Sequence, residues 1–294
     1  MIFRSGSIIV LVSFLSFTTL TVSCRQHRKP KSITFKRITK TNSISRSDDN
    51  HYISESKRQN CTKITDSLFQ ICNPAPLPDC SELIIRRKAY FLSYNKETKL
   101  PNWVAWCLTP EHADGNLPRD NNFYEDESVP IPRATNDDYK GSEWTRGHMC
   151  PAGDNKWDRI VMKESNLLTN ICPQHSSLNS GLWNKIEQDC RTWAKRFGDL
   201  YIVCGPVLLN RVHETIGENK IVVPEAFFKV ILCLNPKPKA VGFIIRNNEG
   251  KKKRDQYVNT VDEVERITGI DFFSALPDEI ENEVEAYANI KDWK

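Results

Sequence analysis

Apolar residues from about position 83 onward recur in the short runs that are typical of buried strands. Residues 84–94 and 103–108 are rich in aromatic and β-favouring side chains and flank a Lys-Leu-Pro-Asn turn, which predicts a hairpin. Three later runs, 200–204, 227–234 and 240–245, predict further buried strands.

Helical spacing predicts a helix over 182–197 that ends at Gly198. Two shorter helices are predicted over 261–267 and 277–287, and the proline-containing stretch 109–141 is typical of a functional loop. Because strands and helices are segregated rather than alternating, the predicted fold class is α+β. The apolar stripe of the long helix consists of Leu182, Ile186, Cys190 and Trp193.

The first 24 residues resemble an export signal, with Arg4 ahead of an apolar run over 8–22. The alternative is a membrane-spanning helix, but that needs about 20 mainly apolar residues and this run is shorter. The ending also resembles a bacterial lipobox in which Cys24 is lipidated, although Thr21 replaces the usual Leu. We therefore predict export to a bacterial cell envelope or periplasm, with a lipid anchor at Cys24 or, failing that, secretion.

The 294 residues suffice for one large domain with an appendage. Residues 25–58 hold ten Lys/Arg against three Asp/Glu and are predicted to be a solvated tether, or alternatively a basic arm for nucleic acid. A cysteine-containing extension follows at 59–82, and the domain proper is predicted over 83–294. Residues 59–294 contain 30 basic and 34 acidic residues, so the formal charge of +4 gives the domain no general affinity for nucleic acid.

Ten cysteines favour an oxidising compartment, and Cys61, Cys72 and Cys80 lie close enough in sequence to cross-link the extension. Spacing alone does not give the connectivity. The chain has no C-x-x-C pair or Cys/His cluster, so a zinc site is not predicted.

The stretch from Trp144 to Asp154 combines groups that suit phosphodiester hydrolysis. His148 follows Arg146 and Gly147, and an unperturbed imidazole pKa of about 6.5 leaves much of it able to accept a proton from water at neutral pH. The alternative is a histidine with a purely structural role between a strand and a turn.

A second group of polar residues begins with Asn179, which precedes the long helix. Its amide oxygen is a hard ligand suited to Mg²⁺, although Asn is also a common helix N-cap. Glu187 lies about two helical turns further on and could order metal-bound waters. Alternatively, Glu187 and Arg191 form an exposed pair four residues apart.

These segments resemble the DNA/RNA non-specific endonuclease family, the ββα-metal or His-Me finger nucleases that include endonuclease G. Residues 142–155, 170–174 and 179–191 carry the resemblance, which extends over roughly 89–276. It implies a ββα-metal fold in which helices flank a mostly antiparallel central sheet.

The resemblance also implies roles for individual residues. His148 resembles the general base, Asn179 the single direct ligand of Mg²⁺ (Mn²⁺ or Ca²⁺ being alternatives), and Glu187 the group that hydrogen-bonds the metal's waters. Asn170 resembles an asparagine of the same pocket, and Arg191 a nearby basic residue.

Two further arginines have counterparts in the family. Arg119 resembles the arginine that steadies the transition state, and Arg146 a phosphate-contacting residue. In one departure, Thr145 stands where the family usually has Asp, and a neutral hydroxyl is the weaker acceptor. The rate or the pH optimum is therefore expected to differ.

The predicted function is Mg²⁺-dependent cleavage of DNA and RNA with little sequence preference, leaving 5′-phosphates. His148 would take a proton from water, while the metal and Arg119 stabilise negative charge and a metal-bound water assists the leaving 3′-oxygen. Two alternatives remain: a catalytically weakened nucleic-acid-binding surface lipoprotein on the same scaffold, and a disulfide-linked structural lipoprotein. Nucleic acid, and the membrane through Cys24, are the predicted partners; no stable protein partner is predicted.

Overall fold

The structure is a computed structural model that describes residues 70–78, 80–248 and 250–294. Its strands, in chain order, are β1 (Leu83–Arg86), β2 (Tyr90–Asn95), β3 (Leu100–Leu108), β4 (Thr145–His148), β5 (Ile171–Gln174), β6 (Leu200–Val207), β7 (Thr215–Ile216), β8 (Ile221–Val222), β9 (Ala226–Cys233), β10 (Lys239–Arg246) and β11 (Val258–Asn259). Its α-helices are α1 (Pro110–Ala113), α2 (Arg159–Ser165), α3 (Ser176–Leu178), α4 (Asn184–Phe197), α5 (Val261–Thr268) and α6 (Asp278–Glu285).

Seven strands form one sheet in the order β1-β2-β3-β6-β9-β10-β11, and every neighbouring pair is antiparallel. The predicted hairpin is present as β2 and β3, and the three later runs are β6, β9 and β10. The prediction of one strand over 84–94 is wrong: the backbone turns after Arg86, where Arg87 N donates to Tyr90 O at 2.8 Å, and this makes two strands. The α+β class with a mostly antiparallel sheet is confirmed.

The two faces of the sheet support two separate apolar clusters, because side chains alternate along each strand. On β9, Phe227 and Ile231 face one cluster, whereas Phe228 and Val230 face the other. The first cluster includes residues of β5 and α4, and the predicted apolar stripe that begins at Leu182 is buried in it. The second cluster includes residues of α5 and α6.

The predicted helices are present, with one change at the start of the long one. Gly198 ends α4 at φ 96°, as expected of a residue without Cβ. Residues Asn179–Trp183 form a π-helical segment ahead of α4, which is interrupted at Gly181 (φ −97°, ψ −110°). Asn179 has helical φ and ψ of −56° and −52°, so it is not the N-cap that its sequence position suggested.

The part of the extension that is described lies against the domain. Ala75 N donates to Asp271 O at 2.9 Å, and Cys72 is buried in the second apolar cluster. The predicted signal over 1–24 and the tether over 25–58 lie outside the described residues, as does Cys61.

The eight described cysteines form no disulfide with one another. Cys72 and Cys80, proposed as part of a cross-link, are not bonded to each other. Burial raises the pKa values of the Cys150 and Cys172 thiols well above their usual range, so these side chains pack as small apolar groups.

No helix in the described part of the chain combines the length and the apolar character that crossing a bilayer requires.

Candidate active site

A compact ββα unit builds the site. Strands β4 and β5 pair antiparallel, with Thr145 opposite Gln174 and His148 opposite Ile171. The chain then continues from β5 into α3, the π-helical segment and α4. Because the pairing brings the start of β4 beside the end of β5, where the helical region begins, residues about 30 positions apart in sequence face one cavity.

The cavity has a volume of about 410 Å³. The polar groups in its wall come from β4, the long loop before it, and the helical region after β5. Five of the seven residues predicted for the site line it: Arg119, His148, Asn179, Glu187 and Arg191.

His148 is a buried, neutral imidazole. Its side chain is only 6% exposed, and its ring lies against Phe123 with ring centres 5.3 Å apart. Burial lowers the pKa of His148 to about 4; the nearby Arg119 charge contributes to this fall, and the hydrogen bond to Asn166 Oδ1 opposes it. The ring is therefore able to accept a proton at neutral pH.

Asn166 selects which imidazole nitrogen accepts that proton. Asn166 Nδ2 donates to Asp120 O at 2.9 Å, so its Oδ1 is the atom that meets His148 Nε2 at 2.8 Å. Since Oδ1 can only accept, Nε2 carries the hydrogen. Nδ1 is left as the basic nitrogen, and it has no hydrogen-bond partner among the described residues.

Thr145 orients Asn179 by the same reasoning. The Thr145 hydroxyl donates to Gln174 O at 2.7 Å and accepts from Asn179 Nδ2 at 3.0 Å. Arg146 O, which can only accept, also lies 3.4 Å from Nδ2. The amide oxygen of Asn179 is thus turned away from both acceptors, and it has no partner in the part of the chain that the structure describes.

If the chain cleaves nucleic acid with Mg²⁺, as the family resemblance implies, Thr145→Val is expected to lower that activity by about 10- to 100-fold, because it removes the acceptor that fixes the Asn179 amide. The loss should be expressed mainly as a higher Mg²⁺ concentration for half-maximal activity. Thr145→Ser keeps the hydroxyl and is the matched control. An unchanged Mg²⁺ dependence in Thr145→Val would contradict this role.

Glu187 and Arg191 do not form the exposed pair considered as an alternative. Arg191 Nη1 instead donates to Asp154 Oδ1 at 2.8 Å, and Trp106 Nε1 holds the other oxygen of Asp154 at 3.1 Å. Gly153 makes this possible, because a Cβ there would lie 2.6 Å from Arg191 Nη1. Arg191 is thereby fixed at the cavity wall.

Glu187 is half-buried and forms no hydrogen bond or ion pair within the described residues. Burial raises its pKa to about 7, with Asp154 adding to the rise and Lys229 and Arg191 opposing it. A cation in the cavity would favour the ionised form.

Lys229 is a buried cation beneath the cavity. It is fully buried on the β9 face that packs towards α4. Its Nζ has no hydrogen-bond partner in the described part of the chain and lies 4.4 Å from the Trp183 ring centre and 5.2 Å from that of Trp106. Its charge acts on Glu187 and on Asp154. The positive charge thus compensates two carboxylates whose burial would otherwise be costly.

Two predicted residues lie outside the cavity wall. The Arg146 guanidinium lies between the Phe123 and Tyr139 rings, 5.1 and 5.4 Å from their centres. Asn170 is completely buried; its Oδ1 accepts from Cys150 N, and its Nδ2 donates to two backbone carbonyls. Arg146 thus packs on Phe123, which contacts His148, and Asn170 fixes the backbone just after His148.

The oxygen donors of the cavity fit a hard divalent cation. The Asn179 oxygen and the Glu187 carboxylate both have free lone pairs facing one polar space, and amide and carboxylate oxygens are ligands of Mg²⁺. Asn179 would hold the ion, with Glu187 acting on its waters.

A model of the DNA/RNA non-specific endonuclease family matches residues 71–279. The chain belongs to this family. The mitochondrial nuclease EXOG of Xenopus laevis is 36% identical over 202 residues, covering 63% of this chain and 56% of that protein. A nuclease of Nostoc sp. is 31% identical over 233 residues, covering 72% of this chain and 81% of that protein.

A solved structure confirms the family's fold. The crystal structure of the EndoG/EndoGI complex, described as showing the mechanism of EndoG inhibition, matches with a TM-score of 0.65 and 28% identity. The match covers 71% of this chain and 92% of that one. The chain spans little more than half the length of the EXOG nucleases that it matches.

Proposed function

We propose that the protein is a divalent-metal-dependent endonuclease that hydrolyses phosphodiester bonds of DNA and RNA with little sequence preference. The observation that carries this proposal is a neutral, oriented His148 in the same cavity as the unpartnered oxygen of Asn179. Membership of the nuclease family supports it.

The residues divide the work of hydrolysis. His148 Nδ1 accepts the proton of an attacking water, and Arg119, which makes no ion pair among the described residues, is free to bind a phosphoryl oxygen. Arg191 adds a second fixed positive charge. A divalent cation on Asn179, for which we propose Mg²⁺, would supply Lewis-acid stabilisation of the developing charge.

The lack of sequence preference follows from the kind of groups present. The cavity offers arginines, an imidazole, an amide and a carboxylate, all suited to phosphate, sugar or metal rather than to base edges. When the 3′-oxygen is the leaving group, the bond between phosphorus and O3′ breaks and the phosphate stays on the 5′-oxygen. This gives the predicted 5′-phosphate products.

Supercoiled plasmid and single-stranded RNA should both be degraded in Mg²⁺ and should both survive in EDTA. Labelling of the product 5′ ends by polynucleotide kinase should require prior phosphatase treatment, because an end that already carries a 5′-phosphate cannot accept another. Plasmid that stays intact in Mg²⁺ at high protein concentration, yet shifts in a gel, would instead favour the nucleic-acid-binding alternative. Thr145, which departs from the family pattern, accepts a hydrogen bond from Asn179 Nδ2 at 3.0 Å.

We also propose export, with a lipid anchor at Cys24. The proposal rests on Arg4, the apolar run over 8–22 and the lipobox-like ending. Mass spectrometry of the mature N-terminus checks it.

A further inference from the structure

Three carboxylates meet on the face of the sheet opposite the catalytic cavity. Asp262 and Glu265 belong to α5, and Glu285 ends α6. One oxygen from each lies within 4.8 Å of the other two. We call these three residues the carboxylate cluster.

Glu285 is the unusual member of the carboxylate cluster. Glu285 is only 7% exposed, and its Oε1 is buried with no hydrogen-bond partner among the described residues. It is also the last residue of α6, where the helix dipole disfavours negative charge, and no basic residue occupies that last turn. A buried carboxylate that accepts no hydrogen bond at one oxygen must either take up a proton or be compensated by a cation.

The described residues supply no ion pair to the carboxylate cluster. None of the three carboxylates is paired with a described basic side chain, and Arg266, the basic residue next to Glu265, donates from Nε and Nη2 to Glu263. Asp271 and Glu281 also act on Glu285, and their charges are negative as well. Five acidic residues therefore lie in one region, and no described basic side chain forms an ion pair with the carboxylate cluster.

The surrounding fold holds the carboxylate cluster in place. Asp262 and Glu265 are three residues apart and so share a helix face, and the Thr260 side chain caps α5. Gly242 of β10 lets α5 approach closely, because a Cβ there would lie 2.6 Å from Val264 Cγ2. Phe272 N donates to Glu265 Oε1 at 2.7 Å, which leaves the second oxygen of Glu265 available.

We propose that the carboxylate cluster is a second divalent-cation site, structural rather than catalytic, with Ca²⁺ as its preferred ion. Carboxylate oxygens are hard ligands, and Ca²⁺ accepts irregular sets of such oxygens completed by water. A bound ion would join α5 to α6 and compensate the buried Glu285. The site does not depend on the proposed nuclease function, since it lies on the other face of the sheet.

Equilibrium dialysis with ⁴⁵Ca²⁺ on the full chain tests the proposal in the Asn179→Ala background, which removes the proposed catalytic ligand. This variant should bind one Ca²⁺ per chain. Adding Glu285→Gln should abolish that binding, whereas adding Glu279→Gln, an exposed acidic residue on the same helix, should preserve it. No Ca²⁺ bound by Asn179→Ala, or equal binding by the Glu285→Gln double variant, would overturn the proposal.

Thermal melting gives a second readout that does not involve nuclease activity. At a Ca²⁺ concentration about 100 times the Kd, the melting temperature of Asn179→Ala should rise by about 5 °C or more. The rise should be absent with Glu285→Gln and present with Glu279→Gln. In EDTA, Glu285→Gln should melt no lower than its parent, because it removes an uncompensated charge; a lower melting temperature in EDTA would mean that Glu285 has a stabilising contact of its own, contrary to the proposal.

Discussion

His148→Gln is expected to reduce plasmid cleavage by about 10²- to 10⁴-fold while the protein stays folded. Glutamine can still donate from its amide nitrogen to Asn166 Oδ1, the contact that His148 Nε2 makes at 2.8 Å. It provides no basic nitrogen in place of Nδ1. The variant therefore separates proton acceptance from the structural role of a buried side chain, which His148→Ala would not do.

Initial rates of plasmid nicking in Mg²⁺ measure the loss, and the melting temperature serves as the control. Cleavage within a few-fold of the wild type would exclude His148 as the base. The lowered pKa has a definite sign: the neutral, accepting ring is present above about pH 5 and is lost as the pH falls through about 4. An NMR titration of the ring in which the midpoint lies near 6.5 would contradict the buried environment.

Lys229→Ala is expected to destabilise the protein by about 3 to 5 kcal/mol, a loss typical of removing one partner from a buried charged group. The substitution leaves a cavity between the Trp106 and Trp183 rings and removes the cation that acts on Glu187 and Asp154. Urea unfolding measures the change. A Lys229→Ala protein as stable as the wild type would show that the buried charge compensates nothing.

Lys229→Met is the matched variant, because it retains most of the side-chain volume and removes only the charge. It should lose less stability than Lys229→Ala, because it keeps the packing between the two rings and loses only the charge that compensates Glu187 and Asp154. Its activity should nevertheless shift to higher pH, because without Lys229 the pKa of Glu187 rises further above its usual range. An unchanged pH profile would mean that Lys229 acts only by packing.

The strands and helices that the sequence predicted well are those with apolar repeats on one or both faces. The runs that became β6, β9 and β10, and the stripe on α4, belong to this class. The break after Arg86 and the π-helical segment at Asn179 were missed. Both depend on backbone hydrogen bonds rather than on the spacing of apolar residues.

The site residues divide in a similar way. Motif resemblance located the residues that line the cavity, but it did not reveal Asn166 or Asp154, single polar residues whose roles arise only from contacts with His148 and Arg191. A lysine inside the otherwise apolar run 227–234 was a usable signal for Lys229. Arg146 and Asn170 matched the motif, yet they do not line the cavity and instead pack against residues next to it.

Asn166 links the orientation of the His148 ring to the position of the loop that carries Arg119. One end of its amide holds the His148 ring, and the other holds the carbonyl of Asp120, the residue that follows Arg119. The spacing between His148, the proposed proton acceptor, and Arg119, the proposed phosphate-binding residue, is therefore set by a single rigid amide. A movement of the loop that withdrew Arg119 would also break the contact that orients the His148 ring. The position of Arg119 and the orientation of His148 are therefore lost or kept together.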